Sequence, residues 1–154
     1  MCASLWNLLN VKGLNLRYLW KLLDINNQLT AGFNQMNQQL AVALAISRNT
    51  RVLAHNRLHD VPRAYRPLYK TIPGNGLNLA NHIYANFANV QDILIAPAEE
   101  PAVGTVPPNF STNFSAYTTA DFVRLIIFYN EDFGIVVGDT IESSINKLCG
   151  FLTY

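Results

Sequence analysis

The strongest constraint on this chain is a repeat between Leu19 and Ser47. Large apolar residues fall at Leu22, Leu29, Phe33, Met36, Leu40 and Ala43. From Leu29 onward the spacings are four, three, four and three, a period of 3.5 residues, which is a heptad seam along one side of a helix. Asn26 fills the slot between Leu22 and Leu29, and the outward positions carry the amides Asn27, Gln28, Asn34, Gln35, Asn37, Gln38 and Gln39. No proline interrupts the stretch, and Gly32 weakens it by only about 1 kcal/mol relative to alanine. The pattern predicts a long helix that buries its seam in one of two ways, against its own chain or against a helix of another. About three heptads lie between Leu22 and Ala43, the lower limit for a coiled coil. Charges flanking the seam are nearly absent, so salt bridges select no partner, whereas a polar Asn in a seam fixes register. We therefore expect a non-enzymatic protein–protein interaction or self-assembling protein, a homo-oligomer or one that binds a partner helix, with self-association through Leu22, Leu29, Phe33, Met36 and Leu40. A purely internal amphipathic helix is the competing reading.

Upstream, Leu14, Tyr18, Leu19, Leu22 and Leu23 continue the helical spacing, with Gly13 as a start or an interruption. The stretch Leu5 to Leu23, with Trp6 and Trp20, is apolar on more than one face and must be buried somewhere. Half of the 154 residues are apolar and 14% are charged, enough for one domain with a core and too apolar for wholesale disorder. Eighteen asparagines supply polarity without charge. Net charge is +1, which excludes a polycation built to coat nucleic acid or membrane. No apolar run reaches a membrane-spanning length, and Met1 to Leu9 lacks the basic start of a signal peptide. Cys2 and Cys149 read as thiols in a reducing compartment, and the sequons at Asn109 and Asn113 as chance matches. The expectation is a soluble intracellular protein, cytoplasmic or nuclear.

Three segments follow: a helical oligomerisation segment over 1–48, a basic connector over 49–77 and a helical C-terminal domain over 78–154. The connector holds Arg51, Arg57, Arg63, Arg66 and Lys70 against Asp60. Pro62, Pro67 and Pro73 bar a continuous helix, and a short strand is expected at Arg51 to His55. Helical spacing returns with Leu79, Ile83, Phe87, Val90 and Leu94, capped by Asn78. A loop over Pro97 to Ser115 precedes two more helices. The first, Ala120 to about Asn130, is capped by Thr118 or Thr119 and stopped by Gly134. The second is capped by Asp139 with Glu142 at its third position, and Ile141, Ile145, Leu148 and Leu152 face inward. Phe122, Ile126, Phe133, Ile135, Ile145 and Leu148 should share one core. The fold class is all-α.

Charge is segregated. Residues 1–76 carry nine basic and two acidic side chains, and residues 77–154 carry two basic and eight acidic ones. The halves should attract, within a chain or head to tail. Glu131 and Asp132 near a helix C-terminus oppose its dipole, so an Arg of the connector is expected beside one of them.

In order along the chain stand Asn49-Thr50-Arg51-Val52-Leu53-Ala54-His55-Asn56-Arg57, Arg66-Pro67-Leu68, Gly74-Asn75-Gly76, Val106-Pro107-Pro108-Asn109-Phe110 and Phe128-Tyr129-Asn130-Glu131-Asp132-Phe133-Gly134-Ile135. Over residues 20 to 154 this order resembles a family of uncharacterised fungal proteins. Those have a helical, often coiled-coil N-terminal part and a C-terminal domain of the type named after a fission-yeast meiotically up-regulated gene. The resemblance implies an intracellular, non-enzymatic, self-assembling protein and brings no catalytic motif.

Chemistry-bearing patterns are sparse. His55 and His59 are four apart, a metal-binding spacing on a helix, but a third ligand is not near in sequence and Pro62 follows closely. Neither a nucleophile motif nor a phosphate loop stands out. We expect no catalytic, cofactor or metal site. The alternative function is nucleic-acid association through Arg51, Arg57, Arg63, Arg66 and Lys70, with Tyr65 and Tyr69 as stacking platforms.

Overall fold

A computed structural model describes residues 16–59, 61–95 and 99–154. The readings placed on Cys2, on Trp6 and on a helix start near Gly13 lie outside the described residues. Among these residues the structure is all helical, with five α-helices and no strand. They are α1 (Leu16–Arg57), α2 (Leu77–Tyr84), α3 (Gln91–Ile95), α4 (Thr119–Tyr129) and α5 (Ile141–Thr153). The chain divides into two compact units, Met1–Gln39 and Leu40–Tyr154. No described helix is long and apolar enough to cross a membrane.

The second unit has one apolar core. Phe122, Val123, Ile126 and Phe128 of α4 pack with Ala80 and Ile83 of α2, Leu94 of α3 and Leu148 and Leu152 of α5. The link Phe133-Gly134-Ile135 is tucked in, with Phe133 and Ile135 buried and Ile145 half-buried beside them, as the spacing predicts. Phe133 takes a left-handed φ of 58° that a bulky side chain rarely adopts. Its ring is held 4.7 Å from that of Phe151 and 5.8 Å from that of Tyr129.

Several boundaries differ from the sequence reading. No strand forms at Arg51 to His55, because α1 runs on to Arg57. Residues 49–57 therefore belong to the helix, and the connector begins only after it. At about 100° per residue, Ala45, Asn49, Val52 and Asn56 share a face. Ala45 and Asn56 are fully buried, and Val52 and Leu53 pack against the core. Leu40 and Ala43, on the opposite face, are exposed.

The helix expected from Asn78 to Leu94 is broken after Tyr84. There Gln91 Nε2 donates to Ala85 O (2.7 Å) and Phe87 O (3.2 Å), taking up carbonyls that a continuous helix would use internally. Gly76, not Asn78, is the N-cap of α2, and Leu77 N donates to the Asn75 side chain.

Thr118 caps α4, but Asn130 with φ 56° ends it, four residues before Gly134. Thr140 caps α5, accepting from Ser143 N at 3.1 Å. Asp139 stands one residue earlier and binds Lys147 Nζ (2.5 Å), Ser143 Oγ and Val136 N. Ile141, expected inside, is exposed.

Candidate functional site

Two surfaces carry the candidate residues. The first is the apolar side of α1. Leu22, Leu29, Phe33, Met36 and Leu40 are each 54–62% exposed, so nothing among the described residues covers them. With Tyr18, Leu19, Trp20, Leu23, Ile25, Leu44 and Ile46 they make twelve exposed large apolar side chains on one helix. Monomeric proteins rarely leave an apolar patch of that extent in water.

The second surface is basic. Arg51, Arg57, Arg63 and Arg66 are exposed and Lys70 is buried, but Arg57 and Lys70 are both committed to helix ends. Arg57 donates to Thr153 O (2.5 Å) and Tyr154 O (3.1 Å), at the C-terminus of α5. Lys70 is fully buried, and its Nζ donates to Phe128 O at 2.6 Å and lies 5.9 Å from the Phe128 ring centroid. Burial pulls the Lys70 ammonium below its ordinary pKa, against the opposing field of Glu100.

The connector is fastened by its backbone. Asn49 pairs both ways with Tyr69, its Nδ2 donating to Tyr69 O (2.8 Å) and its Oδ1 accepting from Tyr69 N (2.6 Å). Asn56 donates to Arg66 O (3.0 Å) and Leu152 O (2.8 Å) and accepts from Arg66 N (2.8 Å). Seven helical residues rise about 10.5 Å and three extended residues span about 10 Å, so the two amides meet matching steps of an extended strap. Farther on, Lys70 exchanges backbone bonds with Gly104 and Thr105, and Gly76 N donates to Ile127 O at 3.0 Å. A Cβ on Gly76 would stand 2.1 Å from Ile126 O, so only glycine fits. Tyr129 completes the fastening, its hydroxyl donating to Leu68 O at 2.8 Å, and burial drives its pKa far up.

The expected Arg partner of Glu131 or Asp132 is absent from the described ion pairs, which are Arg124–Asp121 (3.5 Å) and Lys147–Asp139 (2.5 Å). Both acids follow the end of α4, and Asp132 accepts from Gly134 N at 2.8 Å within its own turn. The carbonyls at that helix end are taken by Gly76 N and Lys70 Nζ instead.

The His55 and His59 rings lie 4.4 Å apart, and His55 Nε2 is 3.2 Å from Ala64 O. No group of three metal-ligating side chains occurs among the described residues. A groove of about 800 Å³, which the sequence reading missed, lies in the second unit. Pro107, Pro108, Phe110, Tyr117, Leu125 and Phe128 line it, together with the Asp121–Arg124 pair. The cluster of proline and aromatic residues over 107–117 is the signal that could have pointed to it. No protein-family model, curated protein or solved structure matches the chain.

Proposed function

We propose that this chain is a non-catalytic, self-assembling protein, joined to another copy through the side of α1 that carries Leu22, Leu29, Phe33, Met36 and Leu40. The observation that supports this reading is the exposure of that seam along a helix whose repeat is the one coiled coils use. The motif likeness to a family of uncharacterised fungal proteins with an often coiled-coil N-terminal part fits the same reading. The test is the mass of the purified protein by light scattering at two salt concentrations. A multiple of 17.2 kDa that persists at high salt is expected, because the contact is apolar. Phe33→Asp with Leu40→Asp should reduce it to a folded monomer. A wild-type monomer at high micromolar concentration defeats the proposal.

The second reading is nucleic-acid contact through Arg51, Arg63 and Arg66, which their exposure favours. Against it, Lys70 and Arg57 of the same set are occupied with helix carbonyls. Salt-sensitive binding of a single-stranded oligonucleotide by a monomeric protein would reverse the ranking.

A further inference from the structure

We propose that two copies of α1 pack parallel and in register, with Asn26 of one copy facing Asn26 of the other. This rests on the self-association reading above and adds orientation and register to it. With Phe33 and Leu40 as a positions of the heptad, Leu29, Met36 and Ala43 are d positions. Continued upstream, Leu19 and Asn26 fall at a and Leu22 at d. Every seam position is then apolar except Asn26.

Its side-chain amide has no partner among the described residues, and its backbone oxygen accepts from Thr30 Oγ1 at 2.9 Å. In a parallel, in-register pair each layer faces its own copy. The Asn26 carbonyl oxygen of one copy then accepts from the Asn26 amide of the other. In an antiparallel pair an a position stands against d positions, and the d positions here are Leu22, Leu29, Met36 and Ala43. None can bond an amide, so two Asn26 side chains would be buried unpaired.

A second copy fits this side better than an unlike helix. The positions flanking the seam are Leu23, Thr30, Asn37 and Leu44 on one side and Ile25, Gly32 and Gln39 on the other. None is charged, so nothing repels an identical strand and nothing selects an oppositely charged one. Asp24 falls at an outward position, where it accepts from Gln28 Nε2 at 2.9 Å along its own helix. A period of 3.5 residues also specifies a supercoiling helix as the partner, since a straight helix keeps one side facing a flat surface only at 3.6.

The experiment is disulfide trapping in the full chain carrying Cys2→Ser and Cys149→Ser, with Leu22→Cys or Ala43→Cys added, alongside light scattering before oxidation. In the parallel pair each variant links to itself, and its yield should exceed that of an outward Gln28→Cys control by about tenfold. Asn26→Leu should lower that yield by about threefold at unchanged mass, because register is loosened. An oligomer in which neither variant links to itself but Leu22→Cys cross-links with Leu40→Cys, a d position against an a position, is antiparallel; it overturns this inference and leaves self-association standing. An unchanged yield in Asn26→Leu removes the role given to Asn26. A monomer in light scattering overturns both readings.

Discussion

The two ends of α1 invert the usual relation between hydropathy and burial. From Ala45 to Asn56 the inward face is Ala, Asn, Val and Asn, and it is buried or half-buried. From Leu19 to Leu40 the seam is Leu, Phe and Met around a single Asn, and it is exposed. Polar side chains are buried where backbone groups of the same chain satisfy them, and apolar ones are exposed where the described residues supply no cover. One end of the helix is complete within the monomer. The other leaves its apolar seam uncovered by the described residues.

The largest effect should come from the complete end. Asn56→Ala strips partners from Arg66 N, Arg66 O and Leu152 O in one step. With about 1–3 kcal/mol for each buried group left unpaired and some relaxation toward water, a loss of about 3–5 kcal/mol in urea unfolding is expected. A loss below about 1 kcal/mol would mean that the strap is not fastened by this amide. Ile126→Ala, at the centre of the core, should cost about 2–5 kcal/mol in the same assay. An effect below about 1 kcal/mol would place the core elsewhere.

Those buried amides also explain what could be read from the sequence and what could not. Elements whose inward faces are apolar were legible: α4 with Phe122 and Ile126, the Phe133-Gly134-Ile135 link, and Leu148 and Leu152 of α5. The last two turns of α1 were not. Their inward face carries Asn49 and Asn56, which break the apolar period and resemble connector residues until their partners, twenty and ten residues away, are known. The break after Tyr84 was hidden for the opposite reason. Leu79, Ile83, Phe87, Val90 and Leu94 keep helical spacing across it, and only the Gln91 amide bonding back to Ala85 O reveals it. Charge segregation predicted an Arg of the connector beside Glu131 or Asp132, and none stands there among the described ion pairs. Lys70 reaches the end of α4 instead, where it meets a carbonyl and no acid.

Lys70→Met tests the strap where it is least polar. Methionine replaces the stem but not the donor to Phe128 O, while the cost of burying an ammonium is removed. The net loss should be about 1–2 kcal/mol near neutral pH. Because the folded pKa lies below the ordinary 10.5, the fold carries the full cost of the buried charge below that folded value. The cost disappears as pH rises toward 10.5. The wild type should therefore gain on the variant in alkaline chemical denaturation, and a constant gap would show that the charge is not desolvated.

A smaller effect is expected at the start of α4. Asp121 Oδ2 accepts from Thr118 N (2.8 Å) and Thr118 Oγ1 (2.7 Å). Burial pushes the Asp121 carboxyl up, but these two bonds, with Arg124 beside it, carry it below 3.8 overall. A lowered folded pKa stabilises above 3.8, and the contribution is lost as pH falls through the folded value. Asp121→Asn should cost about 0.5–1 kcal/mol at neutral pH, the cap and dipole contribution at an exposed helix start. The two proteins should converge in stability in acid, and a gap that survives there would assign the loss to packing.

The smallest effect is the one that separates the two ends of α1. Phe33 is 59% exposed, so in the monomer its ring buries little. Alanine is the better helix former by roughly 0.5 kcal/mol. In dilute solution Phe33→Ala should therefore leave stability unchanged or raise it by no more than about 0.5 kcal/mol. In concentrated solution the sign should reverse, because association stabilises the folded chain by mass action and the wild type alone keeps the full seam. A Tm that rises with concentration in the wild type, and markedly less in Phe33→Ala, is the expected pair of results. Equal concentration dependence in both would mean that Phe33 lies outside the contact. A loss of more than about 1 kcal/mol at the lowest concentration would mean that the ring is covered within its own chain. In that case the exposed end of α1 is as complete as the buried one, and the contrast between them disappears.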